Sequence, residues 1–315
     1  MLLKGTHIVT GGSGFLGSHI VDRLMKNGEK VICIDNLATG SIYNIKKWLK
    51  KKNFIFINED VKSVSLKNSD ISHIWHLACP ASPFYYQKNP LNTMDINYLG
   101  TKNILEIARQ NRAKLLFTSS SEIYGSSLNF PQNEISAGFI NPNGLRSCYL
   151  EGKRIAETLC YEYRRLFNMD IKVVRIFNTY GPKMSLYDKR VISEFILRLI
   201  KNQELVIYGD GHQTRSFCYV EDTLDMIFNV MNGDYYGPIN IGNDEEIKIK
   251  DLAYLISSKF NNKLILSYVK SRMDDPKRRV PSIKIANEIF GWSPKISLEK
   301  GLDLTIKYFL KIKKN

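Results

Sequence analysis

The part of this chain that most limits its fold is residues 7–35. His7-Ile8-Val9-Thr10 is a short apolar run, and Gly11-Gly12-Ser13-Gly14-Phe15-Leu16-Gly17 follows it. An amphipathic segment then continues to about Asn27, and a second apolar run from Lys30 to Ile34 stops at Asp35. The order is strand, glycine turn, helix, strand, with an acid at the second strand's tip. A parallel α/β sheet accommodates that order, and the glycines gain meaning from it.

Each glycine has a physical task. Gly11 allows the tight turn, Gly14 lets the backbone approach a pyrophosphate, and Gly17 lets the helix lie close to the sheet. The free amides of the helix N-terminus face the phosphates. Phe15 and Leu16 in the turn and Asn36 beside the acid complete this end of an expected dinucleotide site. The Asp35 carboxylate would bind a ribose 2′-hydroxyl and repel a 2′-phosphate. No Arg or Lys follows until Lys46, so the expected cofactor is NAD rather than NADP. The spacing GxxGxxG, rather than GxGxxG, points to the short-chain dehydrogenase/reductase branch.

Further strands are predicted over 54–58 and 71–77. Asp60 and Val61 lie between them, and Asp60 either reaches an adenine edge or stands as a solvated loop acid. Leu77 and Ala78 begin a Cys79-Pro80-Ala81-Ser82-Pro83 exit that suits a rigid wall against a cofactor. His76 reads as a strand-end packing residue. One long helix is predicted over 91–111 and carries Asn97, also assigned to the cofactor site. A strand over 114–118 delivers Ser119-Ser120-Ser121-Glu122, hydroxyls and a carboxylate at the edge where such sheets keep their ligands. Ser120 is the hydroxyl of choice there, with a helix cap as its alternative role.

Tyr149 and Lys153 stand four residues apart in the next predicted helix, on one face. A lysine cation beside the phenol favours the phenolate, which makes Tyr149 a candidate general base. After a sixth strand over 170–177 the strand-helix alternation breaks into shorter pieces. The expected fold is α/β, a doubly wound parallel Rossmann sheet with a smaller mixed α/β substrate-binding lobe. Residues 1–178 form the NAD-binding domain in this reading. Residues 179–315 form mainly the nucleotide-sugar lobe, with some segments returning to the sheet.

Composition narrows the setting. The 315 residues carry a formal charge of +14, but the lysines are spread out, and the runs 46–52 and 311–314 read as exposed helix faces. An anionic small molecule is therefore expected as partner, with no nucleic acid and no membrane. No apolar run approaches the roughly 20 residues that span a bilayer. With no cleavable leader visible at Met1-Leu2-Leu3, the chain reads as cytoplasmic. Five scattered cysteines suggest reduced thiols, and five histidines without ligand spacing suggest no metal.

Together these motifs resemble the extended short-chain dehydrogenase/reductases that act on nucleotide sugars. Within them the likeness is to the decarboxylase branch that turns UDP-glucuronate into UDP-xylose. It rests on residues 76–83, Ser119 to Gly125, Arg146 to Arg154, Arg175 to Pro182, Gln213-Thr214-Arg215 and Asp274 to Arg279. The resemblance implies that Tyr149 is the base, that Lys153 tunes it and holds the nicotinamide ribose, and that Ser120 bonds the reacting hydroxyl. It places Glu122 and Arg279 at the sugar acid, and Asn178, Arg190, Tyr208 and Arg215 in the remaining substrate site. It also implies a redox-neutral cycle on bound NAD and a homodimer formed through the Tyr149 helix. A 4-epimerase or 4,6-dehydratase of the same family, or a non-catalytic NAD sensor or scaffold, are the alternatives. A dehydratase commonly carries an Asp-Glu pair where this chain has Ser121-Glu122. Departures from the branch are Leu150, where an acid is usual, and Lys189, where a glycine is usual.

Overall fold

The computed structural model describes residues 4–66, 70–127, 129–261, 263–271 and 275–313; Asp274 of the resemblance motif, Met1-Leu2-Leu3 and Lys314 lie outside them. In chain order the first elements are β1 (Thr6–Thr10), α1 (Phe15–Lys26), β2 (Lys30–Ile34), β3 (Phe54–Ile57) and β4 (His73–His76). Then come α2 (Pro83–Tyr86), α3 (Pro90–Asp95), α4 (Thr101–Asn111), β5 (Lys114–Ser120), α5 (Ser147–Phe167), β6 (Ile171–Ile176) and β7 (Thr179–Tyr180). The second half holds α6 (Val191–Ile200), β8 (Leu205–Tyr208), β9 (Thr214–Ser216), β10 (Cys218–Tyr219), α7 (Val220–Asn232) and β11 (Pro238–Ile241). It ends with β12 (Glu246–Lys248), α8 (Ile249–Ser257), β13 (Leu266–Val269), β14 (Arg278–Arg279), α9 (Lys284–Phe290) and α10 (Leu298–Lys313).

Seven parallel strands make the central sheet in the order β11-β6-β5-β4-β1-β2-β3. The order reverses between β1 and β4, which opens a crevice at their carboxyl ends. Strand periodicity splits the core between the two faces. Val9, Val31, Cys33, Trp75, Leu116 and Val174 pack on one side. Their neighbours Ile8, Ile32, Ile34, Ile74, Leu115 and Val173 pack on the other, against α4 and α5.

The helices show why they start and stop where they do. In α1 the buried Ile20, Val21, Leu24 and Met25 recur at helical spacing, and Arg23 and Lys26 complement the dipole in its last turn. Asn168 closes the 21-residue α5 in the left-handed conformation, φ 51°. The helix expected over 91–111 is in three parts: α3, a π-turn at Ile96–Gly100, and α4. The wider turn carries an extra residue, for which the apolar periodicity gives no signal.

Residues beyond 178 do more than build a lobe. The strand β11 pairs with β6 in the main sheet, and α7 packs on α1 and β6. The lobe proper consists of a parallel β13-β8 pair, a three-stranded β12-β9-β14 sheet and the helices α6, α8 and α10. It sits over the carboxyl edge and closes the crevice into a cleft of about 1520 Å³.

Candidate active site

Three elements deliver the groups around the middle of the cleft. The end of β5 carries Ser120, and one face of α5 carries Tyr149 and Lys153, both buried. The Ser120 hydroxyl faces the Tyr149 phenol and favours its ionised form. Ser120 Oγ also accepts from Glu122 N at 3.2 Å, so it caps the short turn at Ser121–Tyr124 while facing the phenol. Lys153 Nζ donates to Thr118 O at 3.0 Å and lies 6.0 Å from the centre of the Tyr149 ring. Tyr86 stacks on Tyr149, with centroids 4.9 Å apart and planes 7° from parallel. These contacts fix the phenol's position without closing it off from the cleft.

The electrostatics correct one expectation. Burial pushes the Tyr149 phenol up, with Cys79 adding to the rise, and the same burial lowers the Lys153 ammonium. A lysine one turn away therefore does not by itself bring the phenol to neutral pH. In a dry site each lone charge is costly, so phenolate and ammonium are favoured only as a pair.

At the other end the residues fit a dinucleotide. Gly11 has φ 66°, and a Cβ there would meet Ala78 N at 3.0 Å, so the β1–α1 turn needs glycine. A Cβ on Gly17 would meet Gly11 O at 2.1 Å. No side chain caps the start of α1 at Gly14, and no acid sits in its first turn, which leaves that end open to an anion. Asp35 is set by Ser13 N (3.0 Å) and Leu37 N (2.8 Å). Asn36 Nδ2 reaches Asp60 Oδ2 at 3.2 Å, and Asp60 also accepts from Lys62 N at 2.9 Å. Gly14, Phe15, Leu16, Val61, Leu77 and Ala78 line the same wall.

Asn97 is the exception among the residues assigned to the cofactor. It is buried behind the wall and does not line the cleft. Its amide donates to Thr93 O at 2.8 Å and to Cys79 Sγ at 3.2 Å, because the π-turn rotates it toward its own helix and α5. His76 is held between Thr10 Oγ1 (2.7 Å) and Thr101 Oγ1 (3.1 Å), in the interior.

The lobe side carries an ion-pair cluster. Glu122 Oε1 lies 2.5 Å from Arg279 Nη1, and Glu122 Oε2 lies 2.6 Å from Arg146 Nη2. Asp275 joins Arg146 Nη1 and Arg215 Nη2, each at 3.0 Å. Burial pushes the Glu122 carboxyl up, yet Arg279, Arg146 and Arg215 together outweigh it and hold it below its ordinary value. Among the described residues, the Nε of Arg146 and of Arg279 are buried without a hydrogen-bond partner. Asn178 Nδ2 bonds Ser216 O at 3.1 Å, Arg190 pairs with Asp188, and Tyr208 lines the cleft beside Gln213.

Arg146, Asp275 and Tyr86 are site residues that the sequence reading did not assign. Arg146 lies three residues before Tyr149, so helical spacing puts both on one face of α5. Asp275 and Tyr86 arrive from irregular or short segments, where no period announces them. Two departures from the decarboxylase branch also gain a setting. Leu150 is buried with Tyr86, Ile140 and Cys148. Lys189 has φ 62°, a conformation that glycine adopts at least cost.

The family described as GDP-mannose 4,6 dehydratase matches residues 8–305. UDP-glucuronic acid decarboxylase 5 of Arabidopsis thaliana is 46% identical over 298 residues, 94% of this chain and 87% of that protein. Among solved structures, UDP-N-acetylglucosamine 4-epimerase from Methanobrevibacter ruminantium M1, in complex with UDP-N-acetylmuramic acid, superposes with a TM-score of 0.91. It is 30% identical, over 99% of this chain and 100% of that one. UDP-glucuronic acid 4-epimerase from Bacillus cereus, in complex with UDP-glucuronic acid and NAD, gives 0.88 at 27% identity, over 98% of this chain and 100% of that one.

Proposed function

Since this chain belongs to the extended short-chain dehydrogenase/reductases of the GDP-mannose 4,6-dehydratase family, we propose that it decarboxylates UDP-glucuronate to UDP-xylose with NAD as a recycled cofactor. The observation that carries this reading is the Glu122 carboxylate held by Arg279 and Arg146 in the same cleft as Ser120, Tyr149 and Lys153. Guanidiniums with unused buried donors beside the reacting hydroxyl suit a sugar that carries an acid at C6.

When bound, NAD supplies a hydride acceptor for C4 and returns the hydride at the end. Tyr149 takes the C4 hydroxyl proton, and Ser120 holds that hydroxyl against the phenol. Lys153 remains charged while Tyr149 passes from phenolate to phenol and back, so the ammonium favours the phenolate that takes the proton. The C4 ketone is β to the C6 carboxylate, so the C5–C6 electron pair can pass toward the carbonyl oxygen as CO2 leaves. Loss of CO2 needs no proton on a leaving oxygen, which suits Ser121-Glu122 better than a dehydratase's acid pair. Arg190, Arg215 and Asn178 hold the nucleotide diphosphate in this reading, and Tyr208 lies in the same substrate site.

The protein is further proposed to be a cytoplasmic homodimer. Five free cysteines support the compartment. Tyr98, Leu99 and Ile155, exposed on the packed π-turn and α5, support an apolar contact between copies. Among the described residues no helix is long and apolar enough to cross a membrane.

Mass spectrometry of the purified protein with UDP-glucuronate tests the reaction. Loss of one CO2 without net NADH is the expected result. An unchanged mass with a new C4 epimer by NMR would replace decarboxylation with epimerisation.

A further inference from the structure

Glu122 lines the cleft beside Ser120. Its two oxygens face two guanidiniums, Arg279 at 2.5 Å and Arg146 at 2.6 Å. Those guanidiniums are not saturated by it. Among the described residues the Nε of each is buried without a partner, and Arg279 Nη1, though close, is not aligned to donate. A buried donor left without a partner is costly, so the cluster is built to take a further acceptor. Arg146 is also anchored from behind, through Asp275, to Arg215. The Glu122 side chain is the most open of the three, 19% exposed against 12% for Arg146 and 3% for Arg279.

Resting on the decarboxylase reading, we propose that Glu122 is a stand-in for the C6 carboxylate of the substrate. The incoming acid takes over the Arg146–Arg279 clamp, and the displaced Glu122 picks up the one proton that the reaction consumes. Arg146 is thereby a carboxylate-binding residue and the second arm of the clamp.

The groups that face Glu122 are Arg146 at the start of α5, Arg279 on β14, Arg215 on β9, and the phenols of Tyr149 and Tyr86. Burial favours the neutral acid, and only the three guanidiniums outweigh it. Once a second carboxylate occupies two of them, burial and like charge both favour the protonated form. The atoms then balance. The C5–C6 bond breaks, C6 leaves as CO2, and its electron pair rests on C5 and the C4 oxygen as an enolate. The Glu122 proton adds to C5 through that pair. Glu122 returns to carboxylate as the departing CO2 empties the clamp. One proton enters and one CO2 leaves in each cycle.

Calorimetric titration of the Tyr149→Phe holoenzyme, in buffers of different ionisation enthalpy, counts the protons without turnover. At about pH 7.5 the expected uptake is about one proton per UDP-glucuronate bound, and none for UDP-xylose, which lacks the carboxylate. Adding Glu122→Gln removes the uptake while UDP-glucuronate still binds. Arg146→Lys weakens UDP-glucuronate about tenfold or more and changes UDP-xylose by about twofold or less. Equal weakening of both ligands would refute the clamp. If Arg146→Lys does not fold, the proton count in the protein with Arg146 intact decides alone. Binding without proton uptake, in a protein whose unsubstituted form releases CO2, overturns the exchange and leaves the decarboxylase reading standing. Failure of both CO2 release and UDP-glucuronate binding overturns the two together.

Discussion

Tyr149 shows how two neighbours can pull one group in opposite directions. Its ring is stacked on Tyr86 and its hydroxyl faces Ser120, which fixes where the phenol sits. The burial that fixes it also raises the cost of ionising it. Replacing Tyr149 by Phe keeps the stack and removes only the hydroxyl, the proposed acid–base group. The expected outcome is a fall in kcat of about 10²–10⁴-fold, with dinucleotide still bound after purification. Unchanged turnover would remove Tyr149 from the chemistry. The pairing of Tyr149 with Lys153 was legible from one-turn spacing. The rise in proton affinity was not, because depth within a cleft is not a property of spacing.

At the scale of elements, the decisive contact is between α5 and the π-turn at Ile96–Gly100. Gly152, between Tyr149 and Lys153 on α5, leaves room for Asn97, and a Cβ there would meet Asn97 Nδ2 at 2.9 Å and its Cβ at 3.2 Å. Both partners are buried and the turn is backed by Thr93 and Cys79, so little can give. Gly152→Ala is expected to destabilise the fold by about 1–3 kcal/mol in urea titrations and to lower kcat by shifting Tyr149. A neutral substitution would mean that this packing tolerates a methyl group. The helix over 91–111 was readable from its apolar residues, whereas its division was not. A π-turn is selected by what packs against it, here α5, and that neighbour lies about fifty residues along the chain.

Across the whole molecule, buried polar groups tie the sheet to the segments that cover it. Arg175 on β6 forks onto Glu157 of α5 at 3.1 and 2.8 Å, and also donates to Tyr124 and to Glu134 O. Tyr124 in turn bonds Asn240 on β11 at 2.6 Å. Arg175→Met leaves Glu157 buried without its cation and is expected to cost about 3–5 kcal/mol by denaturant titration. A loss below 1 kcal/mol would show that Glu157 finds another partner or takes up a proton at little cost. Acid sensitivity belongs to this scale too. Burial lowers His73 to about 4 and His76 to about 3, so both rings are neutral in the fold. The unfolded chain binds protons at these histidines below about pH 6.5, so their stabilisation is complete above that value and is lost as pH falls toward 4. Between about pH 7.5 and 5.5 the two rings together account for a loss of about 3 kcal/mol, and His76→Gln should remove about half of that slope.

The sequence by itself determined the parallel sheet, the dinucleotide-binding turn and most of the cleft wall. Those follow from strand and helix periods, and from glycines whose neighbours in sequence are also their neighbours in space. Ser120, Tyr149 and Lys153 were legible for the same reason, since each lies at an element end or on one helix face. Only the tertiary structure decided that Arg146, backed by Asp275, joins Arg279 at Glu122, that Asn97 lies behind the cleft, and that β11 is the segment that completes the sheet. Those contacts join residues roughly 20 to 160 positions apart, through segments with no period of their own. Charge and burial there depend on which loops fold over one another, and a linear pattern carries no measure of that.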